Sequence, residues 1–453
     1  MKGLKKNVSL VLVAAAMLLT GCGGQGQNTS EVQKVIDQAE KMDEEQLYKK
    51  AAAEIGDNKF IVIANSSRMK DAFPAWCKYV NEKYGGHLKT DGTNFQTTQP
   101  KNNQIFTQIK GDVTGTNHSI SMTLIQDGSQ IASKMTKTGY LLNYIPKEWK
   151  TSGADEAKDG HPLALQSLSK VFAYNSNNAD GTPDSYIYDN VFDYAINDEG
   201  KDVHTQFMAP ASEPVGANMF YMLTKPEYSA IVKDAYDHAT DAQKAKIDKT
   251  IADSNAGIAD EIKDLGKTSD PNLPYALAWE YLFLKNYQAE VDDGPIAGNI
   301  TKKNAAGQSA LLVYSKFRST KETDDTSNKQ IRVSAYLDGY HGFGGYMYKH
   351  YLQVLSTSPY PWTSCAFIHF MTNHAEGFKP WGKDMGGYSA NPKVQAQFDH
   401  STDGDKEGVP IKNDKGYAWW TANEQGKGRL IIEDGEYCSS VASSMGEWMK
   451  YLR

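Results

Sequence analysis

The sequence predicts an α/β protein of two lobes with a cleft between them. Three observations carry this. Apolar β-type runs alternate with helical stretches along the chain. The length, 453 residues, exceeds what one hydrophobic core organises, roughly 250–300 residues. Polar turns follow directly after predicted strands, where open α/β sheets bind ligands.

Residues 31–57 read as helix. Lys59–Ala64 is a continuous β-type run, suited to a strand buried on both faces. Asn65-Ser66-Ser67-Arg68 follows, then a helix over Met69–Tyr84 ended by Gly85-Gly86. Ser119–Gln126 alternates as a second strand, and Asp127-Gly128-Ser129 leads a helical stretch to Lys137, broken by Gly139. Val171–Tyr174 and Phe220–Leu223 read as strands three and four. A helix starts at Pro226, 227–265 is helix-rich, and Tyr275–Tyr287 is an amphipathic helix. Ser309–Tyr314 and Gln330–Tyr336 read as strands around a charged excursion at Lys316–Lys329. Tyr346–Leu355 and Thr363–Thr372 read as helices, 399–416 as an exposed loop, Arg429–Glu433 as a strand and Ser439–Leu452 as a last helix.

The first residues read as an export signal. Lys2, Lys5 and Lys6 precede an apolar run from Val8 to Leu19, too short to span a bilayer comfortably. The segment ends Leu19-Thr20-Gly21-Cys22, which resembles the lipobox of bacterial lipoproteins. Residues 1–21 are thus expected to be a signal peptide, with Cys22 as the lipidated first residue and 22–43 as tether and helix start. Lipid anchoring places the protein on the extracytoplasmic face of the cell membrane. The chain carries a formal charge of −7, and loss of the three lysines in 1–21 brings it to −10. That balance, without a long basic run, argues against a nucleic-acid partner. Besides Cys22, three cysteines remain: Cys77, Cys365 and Cys438. At most one disulfide can form among them within the chain, and its pairing stays open.

Catalytic signatures are missing. There is no Gly-x-Ser-x-Gly and no His-Glu-x-x-His. Gly266-Lys267-Thr268 lacks the earlier glycine of a phosphate loop, since Glu261 stands there. His369 and His374, five apart, belong on different faces of a helix. No cofactor, metal or enzymatic activity is expected. The candidate ligand residues are those of the turns after strands: Ser66 and Ser67 after the first, Asp127 and Ser129 after the second. Helix N-termini there present free N–H groups to anions, although helix capping gives the same pattern.

The stretches Tyr360–Ile368 and Pro380–Ser389, with Glu44–Gly56, Phe60–Arg68, Val171–Asn175, Asp292–Pro295 and Ile432–Asp434, resemble bacterial extracellular solute-binding proteins of ABC-type importers, nearest to their ferric-type branch. The resemblance implies a two-lobed periplasmic-binding-protein fold, type 2-like, with a hinge and an interlobe cleft. It places lobe one at 57–160 plus 330–395 and lobe two at 161–329 plus 396–453. The partners implied are a small solute and a membrane permease, the receptor acting as a monomer. Ferric members commonly use two adjacent tyrosines. This chain has 26 tyrosines and no Tyr-Tyr pair; its local cluster is Tyr336, Tyr340, Tyr346 and Tyr348. Iron or a polar organic or anionic solute both remain open. Lobe-two candidates are Ser212 and Glu213 between two prolines, with Asn175 and Tyr314 at the ends of two other strands; Tyr336 and Tyr340 of the tyrosine cluster are further candidates, and for the tyrosines core packing is the competing role. The alternatives are an anchored hydrolase pairing Asp127 with Glu213, and a surface scaffold with a broad apolar patch.

Overall fold

The computed structural model describes residues 26–100, 103–176, 186–210, 214–302, 305–319, 331–383, 386–398 and 414–452. Among these, twelve strands form one continuous curled sheet. They are β1 Phe60–Ala64, β2 Phe95–Thr98, β3 Met122–Ile125, β4 Leu141–Leu142, β5 Ala164–Asn175, β6 Gln206–Met208, β7 Gln288–Glu290, β8 Ser309–Val313, β9 Ile331–Val333, β10 Gly345–Leu355, β11 Gly387–Ser389 and β12 Ile431–Ile432. The spatial order is β2-β1-β3-β10-β5-β8-β6-β7, with β4 and β12 on β10, and β9 and β11 on β5.

Two long strands, β5 and β10, carry the sheet from one lobe to the other. Tyr351–Val354 of β10 pairs with β3 in lobe one, whereas Gly345–His350 pairs with Val171–Gln166 of β5. The register shifts between His350 and Tyr351. On β5, Gln166–Leu168 pairs with β11, and Lys170–Tyr174 with β8. Every residue of both strands is buried, because helices and neighbouring chain cover both faces.

Lobe one packs helices Glu44–Ile55, Met69–Tyr84 and Pro361–Asn373 around Phe60, Phe73, Trp76 and Phe367. Lobe two packs helices Pro214–Leu223, Pro226–Asp237, Leu273–Asn286 and Gly435–Tyr451 around Phe172, Phe207, Phe220 and Trp279. Among the described residues, no helix is long and apolar enough to cross a membrane.

Several expectations change. Tyr346–Leu355 is a strand, not a helix. Burial on both faces removes the alternation that marks a strand, so its aromatic-rich run gives no period. Phe220–Leu223 is the end of a helix that starts at Pro214; a short apolar run has no distinguishing period, and Pro suits a helix start. Residues 31–57 form two helices, because Asp43 caps the second by accepting from Gln46 N at 2.8 Å. Residues 331–333 and 345–350 pair with β5. The 399–413 part of the expected loop lies outside the described residues. Cys77, Cys365 and Cys438 are buried free thiols without a disulfide among them.

His369 and His374 come together after all. The helix ends at Asn373 and His374 leaves it in an extended conformation, so the rings lie 5.8 Å apart. Glu44 joins them: Oε2 receives His374 Nε2 at 2.8 Å, and Oε1 receives Tyr79 OH at 2.9 Å, Tyr84 OH at 2.5 Å and Lys83 Nζ at 3.0 Å. His369 bonds Tyr48 OH at 2.9 Å and Glu148 at 3.0 Å. Burial pushes the Glu44 carboxyl up, but His374, Tyr84 and Lys83 outweigh it and hold it well below the usual range. This is a satisfied polar network under the N-terminal helices.

Candidate functional site

The lobes face each other across a cavity of about 380 Å³. Lobe one contributes Asn65, Ser66, Arg68, Gln126, Asp127 and Trp381. Lobe two contributes Met208, Val215, Asp292, Asp293, Ser315 and Lys316. The crossing strands add Gln166 and Leu168 from β5, and Tyr348 and His350 from β10. The cavity thus sits at the carboxyl ends of β1 and β3, where open α/β sheets place ligands.

The β1 turn is built by the chain's own polar groups. Ser66 Oγ accepts from Trp381 Nε1 at 3.2 Å and from Arg68 N at 3.4 Å, which leaves its O–H proton to be donated. Arg68 NH1 donates to Trp381 O at 3.3 Å. The helix Met69–Tyr84 begins immediately after, and no side chain caps its first N–H groups. Its sixteen residues aim the positive end of the helix at the cavity side.

The β3 turn is occupied differently. Asp127 has φ 74°, a left-handed conformation rare outside glycine. It caps its own helix start: Oδ1 accepts from Gln130 N at 3.1 Å and Oδ2 from Gln130 Nε2 at 2.6 Å. A six-residue π-helix, Ile131–Thr136, follows at once; such helices are rare and often sit at functional sites.

From lobe two, Asn218 Nδ2 donates to Asp127 Oδ1 at 3.1 Å and to Glu433 Oε1 at 2.7 Å. One amide therefore bridges two buried carboxyls across the lobe boundary. Tyr351 OH donates to Glu433 Oε2 at 3.3 Å. Glycines allow the close approach: a Cβ on Gly435 would lie 2.6 Å from the Gly128 carbonyl carbon. Burial, and next the Asp127 charge, raises Glu433 to about 7. Burial also raises Asp127, against the bonds from Gln130 and Asn218.

His350 lies between two amides, with Nε2 at 2.7 Å from Gln126 Nε2 and Nδ1 at 2.9 Å from Gln166 Nε2. Burial, and then the Arg68 charge, lowers it to about 3, so it is neutral. A neutral imidazole has one donor and one acceptor, so one amide must present its oxygen. Gln166 Oε1 is buried without a partner. Rotating that amide gives Nδ1–H its acceptor and leaves the Gln166 NH₂ as a donor beside the cavity.

The expected site residues divide. Ser66 and Asp127 line the cavity. Ser67 is exposed and absent from its lining. Ser129 lines a separate interlobe space of about 660 Å³ beside the π-helix, together with Asn218 and Tyr221. Asn175 is buried away from the cavity lining, and its amide donates to Ile300 O at 2.8 Å and Lys302 O at 3.1 Å at the end of helix Asp293–Ile300. Tyr314 OH meets Tyr336 OH at 3.0 Å in a packed cluster with Trp420. Tyr340 OH donates to Phe343 O at 2.9 Å. None of these three tyrosines lines the cavity. Cys22, Ser212 and Glu213 lie outside the described residues, and with Glu213 the expected carboxylate pair of a hydrolase. Gln166, Asn218, His350, Trp381 and Glu433 were not singled out as site residues. Their turns and strands are distant in sequence, and only Trp381 and Glu433 fall in stretches that carry the resemblance.

No protein-family model matches the chain, and no curated protein matches it. Solved structures do. Iron-bound HitA from Pseudomonas aeruginosa superposes with a TM-score of 0.51 at 12% identity, over 86% of this chain and 99% of that one. An ABC transporter substrate-binding protein from Bradyrhizobium japonicum also gives 0.51, at 8% identity, over 87% of this chain and 100% of that one. At such identities the likeness is one of architecture: the chain has the two-lobed fold of the periplasmic solute-binding proteins of ABC importers.

Proposed function

We propose that the chain is a receptor that closes its lobes on one small polar solute with an anionic group and passes it to an ABC-type importer. The observation that carries this reading is the cavity lined from both lobes and from both crossing strands. Its volume is of the size that small-molecule sites have, roughly 300–1,000 Å³, and hinge closure is the motion of such folds. The anionic group is supported by Arg68 and Ser66 in the cavity lining, beside the positive end of helix Met69–Tyr84. The second helix start is already filled by the carboxylate of Asp127, so one such position serves the ligand. A ferric ion is less well served, because Tyr348 lines the cavity while Tyr314, Tyr336 and Tyr340 do not. The membrane anchor on Cys22 is supported by the sequence of residues 1–24.

Purified full-length chain, melted in the presence of carboxylated and phosphorylated solutes, polyamines and ferric citrate, tests the reading. A cognate solute at 100 times its dissociation constant adds about 2.7 kcal/mol of stability. Arg68→Ala abolishes most of that gain. Stabilisation by ferric ion and by no anion replaces the anionic reading with an iron one; no stabilisation by any compound sinks the receptor. Mass spectrometry of the N-terminal peptide from membranes checks Cys22, and an unmodified thiol removes the anchor.

A further inference from the structure

Lobe two holds a separate group of metal-ligating side chains, Asp234, His238 and His341, none of which lines the interlobe cavity. Asp234 and His238 stand one turn apart at the end of helix Pro226–Asp237. His341 comes from the segment that feeds the crossing strand β10. Its backbone is fixed on both sides: His341 N donates to Asp189 O at 2.7 Å, and Val191 N donates to His341 O at 2.9 Å. The following Gly342 has φ 107°, and a Cβ there would lie 2.5 Å from Val191 Cγ1, so only glycine allows this turn.

The imidazoles of His238 and His341 stack with centroids 3.7 Å apart and planes 9° from parallel. His238 Nδ1 lies 2.8 Å from the Asp234 carbonyl. A carbonyl only accepts, so in the neutral ring Nδ1 carries the proton and Nε2 is the nitrogen available to a metal. His341 Nδ1 is buried without a hydrogen-bond partner, and Asp234 Oδ2 is 3.8 Å away. Arg429 NH1 holds Asp234 Oδ2 at 3.1 Å and is itself braced by Gln425 Oε1 at 2.6 Å, which leaves Oδ1. Imidazole with its second nitrogen on a backbone carbonyl, and a carboxylate held by an outer donor, is the support that ligating side chains use.

We propose that Asp234, His238 and His341 form a surface site for a divalent transition metal of the zinc class, with two imidazole nitrogens, one carboxylate oxygen and a fourth position open to water. One ligand atom from each residue lies within 4.8 Å of the others. Zinc–nitrogen bonds of about 2.0–2.1 Å need a modest approach and a tilt of the rings out of their stack. His238, half exposed at a helix end, has room to make both. Imidazole ligands select zinc, copper or nickel over calcium or magnesium. The Arg429 charge opposes a second cation and weakens its binding. The bound ion pins the segment entering β10 to helix Pro226–Asp237. The group around Glu44, His369 and His374 is different, since its carboxylate oxygens already receive His374, two tyrosines and a lysine.

Calorimetric titration of the untagged full-length chain with Zn²⁺ alone tests this, and does not depend on any solute. One equivalent binds, and His238→Ala and His341→Ala each weaken it by at least about tenfold. Co²⁺ in place of Zn²⁺ gives the visible spectrum of a tetrahedral site, and hydrogen exchange slows in 226–238 and 337–344. His238 is half exposed, so its variant keeps the fold even where His341→Ala does not. Absence of saturable binding overturns the proposal. So does binding that survives in His238→Ala with its spectrum unchanged.

Discussion

Glu44 in lobe one and Glu433 at the lobe junction are both carboxylates taken largely out of water, yet they are treated in opposite ways. Glu44 receives a histidine, a lysine and two tyrosines, and its carboxyl is held well below the ordinary range. Glu433 shares one amide with a second buried carboxyl and is raised to about 7. The first arrangement fastens the N-terminal helices to the lobe-one core. The second leaves charge unresolved where the lobes meet, beside a left-handed Asp127 and a π-helix. Backbone strain and two buried carboxyls thus collect at the lobe junction, while the lobe-one network is satisfied.

Substitutions can break this contrast. Glu44→Ala has the largest expected effect. It strips four partners of their acceptor, and chemical denaturation followed in lobe one is expected to show a loss of about 3 kcal/mol.

Next comes pH. The folded carboxyl of Glu433 is raised above its unfolded value, so its contribution to stability is complete below about 4.5 and is lost as pH rises through about 7. Stability therefore rises as pH falls from 8 to 5, on the order of 2 kcal/mol. Asp193 in lobe two, also raised to about 7 mainly by burial, adds in the same direction. Glu44, being depressed, contributes equally across this window and loses its share only below it. Melting curves of Glu433→Gln are expected to be flatter with pH than those of the parent; an unchanged slope refutes the assignment.

Asn218→Ala is expected to cost about 1.5 kcal/mol and to speed amide exchange both in 128–136 and at the start of helix Gly435–Tyr451. Faster exchange in 214–223 alone would mean that Asn218 serves its own lobe only. The smallest effect belongs to Asp127→Asn, which keeps a side chain suited to the left-handed conformation and stays within about 1 kcal/mol. Its signature is a fall in the Glu433 pKa, read by carbon NMR, because the neighbouring charge is gone.

Much of this organisation is legible in the sequence where the signals are local. The strand at Phe60–Ala64, the helix to Tyr84 and the left-handed Gly85 that ends it follow from an apolar run, a helical stretch and a glycine. The polar turns that carry Ser66 and Asp127, both in the cavity lining, are legible by the same means. What is not local is not legible. β10 reads as a helix because both its faces are covered, and burial on both sides erases the pattern. Asn218 sits inside an apolar helix, and nothing near it in sequence points to Asp127 or Glu433. Gln166 and His350 gain meaning only when β5 and β10 lie side by side.

The place of β10 in the sheet also bears on how the chain comes into being. β10 lies between β3 and β5, so lobe one has an open sheet edge at β3 until residue 355 has been made. Helix Pro361–Asn373, which covers Glu44–Ile55 through Glu54 and Thr363, comes later still. A nascent chain leaving the ribosome cannot complete its first lobe before most of its second has emerged. Unpaired edges and late, distant pairings slow folding and invite association. Truncated chains ending before β10 are therefore expected to associate more readily than the full chain, whatever the intrinsic stability of the segments they contain.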